Sequence, residues 1–152
     1  MTQTIVHASC VALMRADRSW RAALIIGPAG AGKSSLALEL MSRGARLVAD
    51  DRTIVRRDED RLIAACPPAI AGLIEARGIG LIRAHPVADI ELALIVDLDA
   101  TAQDRLPPPH RADLLGVALP RIVCSTADGR ASTAHAAAIH LLLRGACAPE
   151  PT

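Results

Sequence analysis

A glycine-rich segment between an apolar run and a helical pattern constrains the fold of this chain more than any other feature. The segment matches the P-loop pattern G-x-x-x-x-G-K-S at every fixed position, with Gly-Pro-Ala-Gly-Ala-Gly-Lys-Ser over residues 27–34. The apolar run 22–26 before it is suited to a buried strand, and the pattern over 33–43 after it predicts a helix. A strand, a phosphate-binding loop and a helix in this order predict an α/β domain that binds a nucleotide.

Each residue type in the loop has a role in binding phosphate. Glycines let backbone N–H groups wrap a phosphate, and the N-terminus of the following helix adds a favourable partial charge. Lys33 is expected to reach the β- and γ-phosphates, and the Ser34 hydroxyl to ligate Mg²⁺. Lys33 is also the only lysine among 17 Lys and Arg residues, at the one position where the motif requires a compact ammonium. The residues expected to contact the nucleotide are Gly27, Pro28, Ala29, Gly30, Ala31, Gly32, Lys33, Ser34 and Ser35.

The rest of the chain continues the alternation of strands and helices. Apolar runs predict strands over 7–14, 46–49, 91–96 and 117–123, and residues 53–57 with 61–65 predict a hairpin. The clearest later helix covers 133–143. The predicted fold is α/β and P-loop kinase-like, with a central mixed sheet, flanking helices and a C-terminal helix in a single domain over 1–152.

Composition and charge argue against several other functions. The net charge of +1 indicates neither nucleic-acid binding nor a polybasic membrane surface. No uncharged run is long enough to span a bilayer, and the N-terminus lacks the regions of a signal peptide. Cys10, Cys66, Cys124 and Cys147 lack metal-ligand spacing and are expected to be reduced thiols in a cytoplasmic protein. Trp20 is the only aromatic residue, so we expect nucleotide affinity to come mainly from phosphates and metal, with weak base selectivity.

Two adjacent aspartates, Asp50 and Asp51, follow the strand that returns from the predicted helix. The helix covers about 15 Å at 1.5 Å per residue, and the return strand covers about 16 Å at 3.3 Å per residue. A right-handed crossover makes this strand parallel to the one before the P-loop, so both aspartates end at the edge that carries the loop. Since successive strand residues point to opposite faces, we expect only one of them to aim into the site. A carboxylate there would accept a proton from a hydroxyl or help to hold a metal ion.

With these motifs at this spacing, the sequence resembles the catalytic domain of bacterial HPr kinase/phosphorylase from His7 to the last helix. The most specific stretch is 27–51, where the P-loop is followed by Leu-Glu-Leu, Arg-Gly and Leu-Val-Ala-Asp-Asp. A second stretch, Leu-Ile-Glu-Ala-Arg-Gly-Ile-Gly-Leu-Ile over 73–82, resembles the family signature Glu-x-Arg-Gly-x-Gly. The chain begins at the catalytic domain with Met1, and we expect a short form that lacks the N-terminal domain of longer members.

The resemblance implies a reaction and a partner. Members of the family use ATP and Mg²⁺ to phosphorylate a serine of HPr, the small phosphocarrier of the sugar phosphotransferase system. Many members also reverse the reaction with phosphate and release pyrophosphate. The resemblance therefore implies a cytoplasmic protein-serine kinase that assembles as a hexamer, with neither a nucleic-acid nor a membrane partner.

The resemblance also implies catalytic and metal-binding residues. Asp51 corresponds to the catalytic aspartate, the base for the kinase and the acid for the reverse reaction, and Asp50 is its acidic neighbour. Glu75 corresponds to the carboxylate assigned to the metal, where it would complement Ser34. His7 falls where the family has a histidine ahead of the P-loop, although His-Ala stands here in place of the usual His-Gly.

Two further elements of the family match short segments later in the chain. Asp-Arg-Leu over 104–106 resembles the motif that supplies a catalytic arginine, which assigns this role to Arg105. The family's proline-rich loop, required for phosphorolysis, corresponds to Val-Ala-Leu-Pro-Arg over 117–121. With Lys33, the expected catalytic set is Asp51, Asp50, Lys33, His7 and Arg105.

Other interpretations stay open for the sequence. A small-molecule kinase of the adenylate or shikimate type generally carries an arginine-rich lid, and no such segment is evident. A nucleotide-sensing module would bind a partner without transferring phosphate, but Asp51 together with Glu75 argues against it because a sensor needs no base. Residues 91–97 fit two interpretations equally well: a Walker B strand, or a buried strand that ends in Asp97.

Overall fold

The computed structural model describes residues 2–99, 110–124 and 133–145. These ranges contain eleven strands, two helices and a 3₁₀ turn over Pro68–Ile70, and eight of the strands lie between the two helices. The strands are β1 (Gln3–Val6), β2 (Ala8–Met14), β3 (Trp20–Ile26), β4 (Arg46–Ala49), β5 (Thr53–Asp58), β6 (Arg61–Ala65), β7 (Leu73–Ala76), β8 (Gly80–Arg83), β9 (Ile90–Asp97), β10 (His110–Leu114) and β11 (Val117–Val123); the helices are α1 (Lys33–Ser42) and α2 (Thr133–Leu143).

Most of the strands join one large mixed sheet in the order β1-β5-β6-β9-β3-β2-β4, to which the β10–β11 hairpin is attached through β9. Strand β3, which leads into the P-loop, is parallel to β9 and antiparallel to β2. Strand β4 pairs antiparallel with β2 on the far side, so β4 runs in the same direction as β3. The predicted direction of the strand before Asp50 is therefore confirmed, although β2 lies between the two parallel strands.

Both helices pack on one face of the sheet. Helix α1 buries Leu36, Ala37 and Leu40, and α2 contributes Ile139 and Leu143 to the same cluster. A second cluster on the opposite face of the sheet contains residues of β2, β3, β4, β5, β6 and β9. Its buried members are Ala8, Cys10, Ala12, Ala22, Leu24, Val48, Val55, Leu62, Ala64 and Leu92. The buried residues of both clusters are aliphatic, alanine or cysteine, so the core forms by aliphatic packing without an aromatic ring.

The predicted α/β class, with a mixed sheet and flanking helices, is confirmed. The predicted helix over 33–43 ends at Ser42, where Gly44 has a φ of +102° and the Ala45 N–H donates to Leu40 O at 3.0 Å. The strands at 46–49 and 117–123 and the helix at 133–143 have the predicted bounds. Strands β1, β7, β8 and β10 were not predicted.

In the three described ranges, neither helix is both long and apolar enough to cross a membrane.

Candidate functional site

The P-loop leaves β3 at Ile26 and enters α1 at Lys33, with its outer rim exposed to solvent. Gly27 has a φ of +155°, and a Cβ there would lie 3.1 Å from the Leu98 Cβ, so the position requires glycine for both conformation and space. Pro28, Ala29 and Gly30 form the exposed rim, while Ala31 is buried against the helix-side core. The loop therefore has a tightly packed base and an accessible rim, as a phosphate site needs.

The N-terminus of α1 is free to bind an anion. Gly32 is its N-cap, with a φ of +97°, and no side chain caps the helix. The first turn carries no acidic residue, so neither a capping oxygen nor a carboxylate competes for its N–H groups. Lys33 is 7% exposed, and its Nζ donates to Gly27 O at 2.9 Å and to Pro28 O at 3.1 Å. The ammonium is thus held under the loop, where a phosphate would replace the two carbonyl oxygens.

The Asp50 carboxylate is the centre of a hydrogen-bond network beside the P-loop. Asp50 is 7% exposed, and its Oδ1 accepts from Ser34 Oγ and from Ser9 Oγ, each at 2.7 Å. Its Oδ2 accepts from the backbone N–H of Glu75 at 3.1 Å. A carboxylate this buried needs such donors to offset the loss of water. The network brings together the P-loop serine, the acidic residue after β4 and the backbone of the signature segment in β7.

Asp51 lies next to Asp50 in the chain but points to the surface. Its φ is +69°, and the Arg52 N–H donates to Asp50 O at 2.8 Å, which closes a tight three-residue turn around Asp51. His7 Nε2 lies 2.7 Å from Asp51 Oδ1, and because a carboxylate only accepts, the imidazole donates. The two side chains are 57% and 62% exposed. Of the two aspartates, Asp50 is the one that contacts a P-loop side chain, and Asp51 pairs with His7.

The remaining predicted residues lie at the edges of this arrangement or outside it. Ser35 is exposed in the first turn of α1, and Arg105 lies outside the described residues. Asp97 ends β9 in register with Ile26, and its Oδ2 accepts from Arg121 Nε at 3.1 Å and Nη2 at 2.6 Å. The residues 91–97 therefore form a strand whose terminal aspartate pairs with an arginine, while Asp50 is the acid that bonds to Ser34.

Ser9 is the residue of this network that the sequence did not predict. It lies in β2, is 0% exposed, and donates to Asp50 across the pairing of β2 with β4. The only signal for it in the sequence is a hydroxyl within the apolar run of β2, two residues after His7. A serine in a buried strand is common when its hydroxyl bonds to the backbone, so this signal alone does not indicate a site.

Trp20 does not belong to the nucleotide site. It begins β3, and the P-loop leaves the other end of that strand, roughly 20 Å away at 3.3 Å per residue. A base attached to a phosphate in the P-loop therefore has no aromatic ring to stack on, because Trp20 is the only one in the chain. This supports the expectation that the phosphates provide most of the nucleotide affinity.

The donors around Asp50 fit Mg²⁺ and do not form a transition-metal site. Among the described residues, no three His, Cys, Asp or Glu side chains are grouped to hold a metal ion. Mg²⁺ instead keeps several waters and takes one or two protein oxygens together with substrate phosphates. The Ser34 hydroxyl donates a hydrogen bond to Asp50, which leaves the lone pairs of Ser34 Oγ for a cation. Glu75 contacts Asp50 through its backbone N–H, and its side chain is exposed.

The described cysteines, Cys10, Cys66 and Cys124, are free thiols, as predicted. Burial raises the pKa of Cys124 to about 11 and that of Cys10 still further. The pKa of Cys66 is raised first by burial and then by the negative charge of Asp50. Thiols with raised pKa values stay protonated at neutral pH and react slowly.

Known proteins with similar sequences and structures share one family. The profile of the HPr serine kinase C-terminal domain matches residues 2–146. The HPr kinase/phosphorylase of Lacticaseibacillus casei is 37% identical over 120 residues, which are 70% of this chain and 38% of that protein. The enzyme of the same name from Bordetella petrii is 41% identical over 120 residues, which are 70% of this chain and 39% of that protein. The structure of the Hpr(Ser) kinase/phosphatase from Coxiella burnetii matches with a TM-score of 0.74 and 28% identity, over 93% of this chain and 94% of that one.

Proposed function

Because the chain belongs to the HPr serine kinase C-terminal domain family, we propose that it transfers the γ-phosphoryl group of ATP to a serine of an HPr-type phosphocarrier protein. The observation that carries the proposal is the Asp50 network, which joins the P-loop serine to the family's signature segment at Glu75. The exposed pair of His7 and Asp51 lies next to this network in the chain. A phosphate site and an accessible carboxylate are thus held side by side.

The first task of the site is to bind the triphosphate. The P-loop N–H groups and the N-terminus of α1 would surround the β- and γ-phosphates, and Lys33 would exchange its two carbonyl partners for phosphate oxygens. Ser34 and Glu75 would hold Mg²⁺, with Asp50 orienting Ser34. When bound, the ion neutralises charge on the phosphates. Arg105 stays the predicted catalytic arginine.

The second task is to present the serine hydroxyl to the γ-phosphorus. The hydroxyl oxygen forms a bond to that phosphorus, the bond to the β–γ bridging oxygen breaks, ADP leaves, and the hydroxyl proton passes to Asp51. His7 would keep the Asp51 carboxylate in place through its hydrogen bond. Phosphoryl transfer depends mainly on positioning and charge stabilisation, and a general base typically adds about 10²–10⁴-fold.

The exposure of the proposed base favours a protein substrate. The side chain of Asp51 is 62% exposed at the surface, where a hydroxyl on another folded protein can reach it. Kinases of small molecules enclose their substrate to exclude water, and an exposed base does not suit that strategy. The substrate is therefore proposed to be a macromolecule, an HPr-type protein in the cytoplasm, where ATP is available. Assembly as a homo-oligomer stays a prediction.

The same residues would serve the reverse reaction, to which the names of the relatives point. An oxygen of hydrogen phosphate would attack the phosphorus of phosphoserine, and the bond to the serine oxygen would break. The proton that the attacking phosphate loses would reach the serine oxygen through Asp51. The products are serine and pyrophosphate, so atoms and charge balance. Incubating phospho-HPr with phosphate and measuring pyrophosphate tests this step separately.

Incubation with γ-labelled ATP, Mg²⁺ and purified HPr tests the proposed function. We expect label on a serine of HPr, and none on an HPr variant whose serines are replaced by alanine. A Lys33→Met variant should show neither transfer nor tight nucleotide binding, because it loses the only ammonium at the phosphates. Normal binding of ATP by the unmodified chain with no label on HPr would contradict the proposal.

A further inference from the structure

The Ser9 hydroxyl contacts both aspartates of the site. It donates to Asp50 Oδ1 at 2.7 Å, and Ser9 Oγ accepts from the Asp51 backbone N–H at 3.5 Å. Ser9 is 0% exposed, so water does not substitute for either contact in the folded chain. One buried hydroxyl thus links the carboxylate of one aspartate to the backbone of the next.

Ser9 is one of three donors that together fix the rotation of the Asp50 carboxylate. The last torsion of an aspartate side chain has a broad energy well, so its donors decide its orientation. Ser9 and Ser34 donate to the same oxygen, while the Glu75 N–H holds the other. With all three donors in place, Asp50 Oδ1 faces the Ser34 hydroxyl and accepts a hydrogen bond from it.

We infer that Ser9 is a positioning residue of the phosphotransfer site, which sets the Asp50 carboxylate so that Ser34 presents its lone pairs to the metal ion of the nucleotide. The inference rests on the proposed function for the identity of that ligand, Mg²⁺ with a nucleoside triphosphate. Ser9 itself touches neither phosphate nor metal in this arrangement. It acts through Asp50, as partners of metal ligands generally do.

Thr53 offers a matched control for Ser9. It is also 0% exposed, it follows Asp51 closely in the chain, and its hydroxyl donates to Ala8 O at 2.9 Å. Replacing either residue removes a buried hydroxyl from the same part of the sheet, and replacing Ser9 also removes the 3.5 Å contact of the Asp51 N–H. Of these two hydroxyls, only that of Ser9 donates to the Asp50 carboxylate, so a general effect of losing a buried hydroxyl should appear in both variants.

The test is the binding of a fluorescent ATP analogue to the full chain, titrated with Mg²⁺ and repeated in EDTA. For Ser9→Ala we expect the Mg²⁺ concentration at half-maximal binding to rise about 10-fold or more, with unchanged affinity in EDTA. Thr53→Val should match the unmodified chain in both conditions. Ser9→Thr keeps the hydroxyl and should restore the Mg²⁺ dependence. An unchanged Mg²⁺ dependence in Ser9→Ala, or an equal shift in Thr53→Val, would overturn the inference.

If Ser9→Ala does not fold, Ser9→Cys is the variant to measure, because a thiol has a similar size but is a weak donor. The same rise in the Mg²⁺ requirement is expected, and its absence counts against Ser9. The binding readout does not require HPr. An unmodified chain that transfers no phosphate to HPr would therefore refute the proposed function, while the Mg²⁺ titration would still decide the role of Ser9.

Discussion

Asp50 and Asp51 are neighbours in the chain, yet they belong to two different environments. The buried half of the site, Ser9, Ser34 and Asp50, is a network in which one carboxylate accepts three hydrogen bonds. The exposed half, His7 and Asp51, is a single hydrogen-bonded pair at the surface. The positive φ of Asp51 separates the halves, since it reverses the chain within one residue.

The comparison shows that burial gives Asp50 and Asp51, two chemically identical side chains, different roles. A buried carboxylate with three donors holds one geometry, because losing a donor leaves a polar group unsatisfied at a cost of about 1–3 kcal/mol. An exposed pair contributes only about 0–1 kcal/mol to stability and exchanges partners readily. The buried half is thus suited to binding the nucleotide, and the exposed half to meeting a substrate and moving its proton.

Asp51→Asn is expected to have the largest effect. Transfer to HPr should fall about 10²–10⁴-fold, because the amide cannot accept the hydroxyl proton. Asparagine tolerates a positive φ, so the turn should form as before. Nucleotide affinity, measured with a fluorescent ATP analogue, should stay within about twofold. Unchanged transfer would remove Asp51 from the reaction.

Asp50→Asn should weaken nucleotide binding, whereas Asp51→Asn should slow the transfer step. The amide oxygen is able to accept from Ser9 and Ser34, but its NH₂ then meets the Glu75 N–H, donor against donor. We expect the Mg²⁺-dependent part of nucleotide binding to weaken about 10–100-fold. Urea unfolding followed by Trp20 fluorescence should show a loss of about 1–3 kcal/mol. Binding and stability equal to those of the unmodified chain would show that the network is dispensable.

Cys66 reports on the charge of the buried half. Since the negative charge of Asp50 helps to raise the pKa of this thiol, Asp50→Asn should lower that pKa and increase the thiolate fraction at a fixed pH. Alkylation of Cys66, followed by peptide-resolved mass spectrometry at pH 8, should therefore be faster. Asp51→Asn serves as the control, and an equal acceleration there would mean that the halves are not electrostatically distinct.

The smallest expected effect is the contribution of the hydrogen bond between His7 and Asp51 to the free energy of unfolding. A double-mutant cycle with His7→Ala and Asp51→Ala should give a coupling energy of about 0.2–1 kcal/mol. Any strain of alanine at the positive φ occurs in both variants that lack Asp51, so it cancels in the cycle. A coupling energy well above this range would show that the pair stabilises the fold like the buried network.

The difference between the halves also explains what the sequence could predict. Lys33 and Ser34 lie in one local motif, and the crossover determines the direction of the strand before Asp50 and Asp51. Pattern and geometry therefore placed both aspartates at the edge with the P-loop, but they left open which of the two bonds to Ser34. The contact of the Glu75 N–H with Asp50 joins residues 25 apart in the chain and was not predicted. The resemblance assigned Glu75 only a metal-binding role beside Ser34. Ser9 was missed because its role depends on the pairing of β2 with β4, which no local pattern shows.

The most direct test of this division of work is single-turnover transfer to HPr at increasing Mg²⁺ concentration, compared for Asp50→Asn and Asp51→Asn. The account predicts that high Mg²⁺ restores much of the rate of Asp50→Asn, because its defect lies in binding. The rate of Asp51→Asn should stay low at every Mg²⁺ concentration, because its defect lies in the transfer step. Rescue of Asp51→Asn by Mg²⁺, or the same response in both variants, would contradict the account.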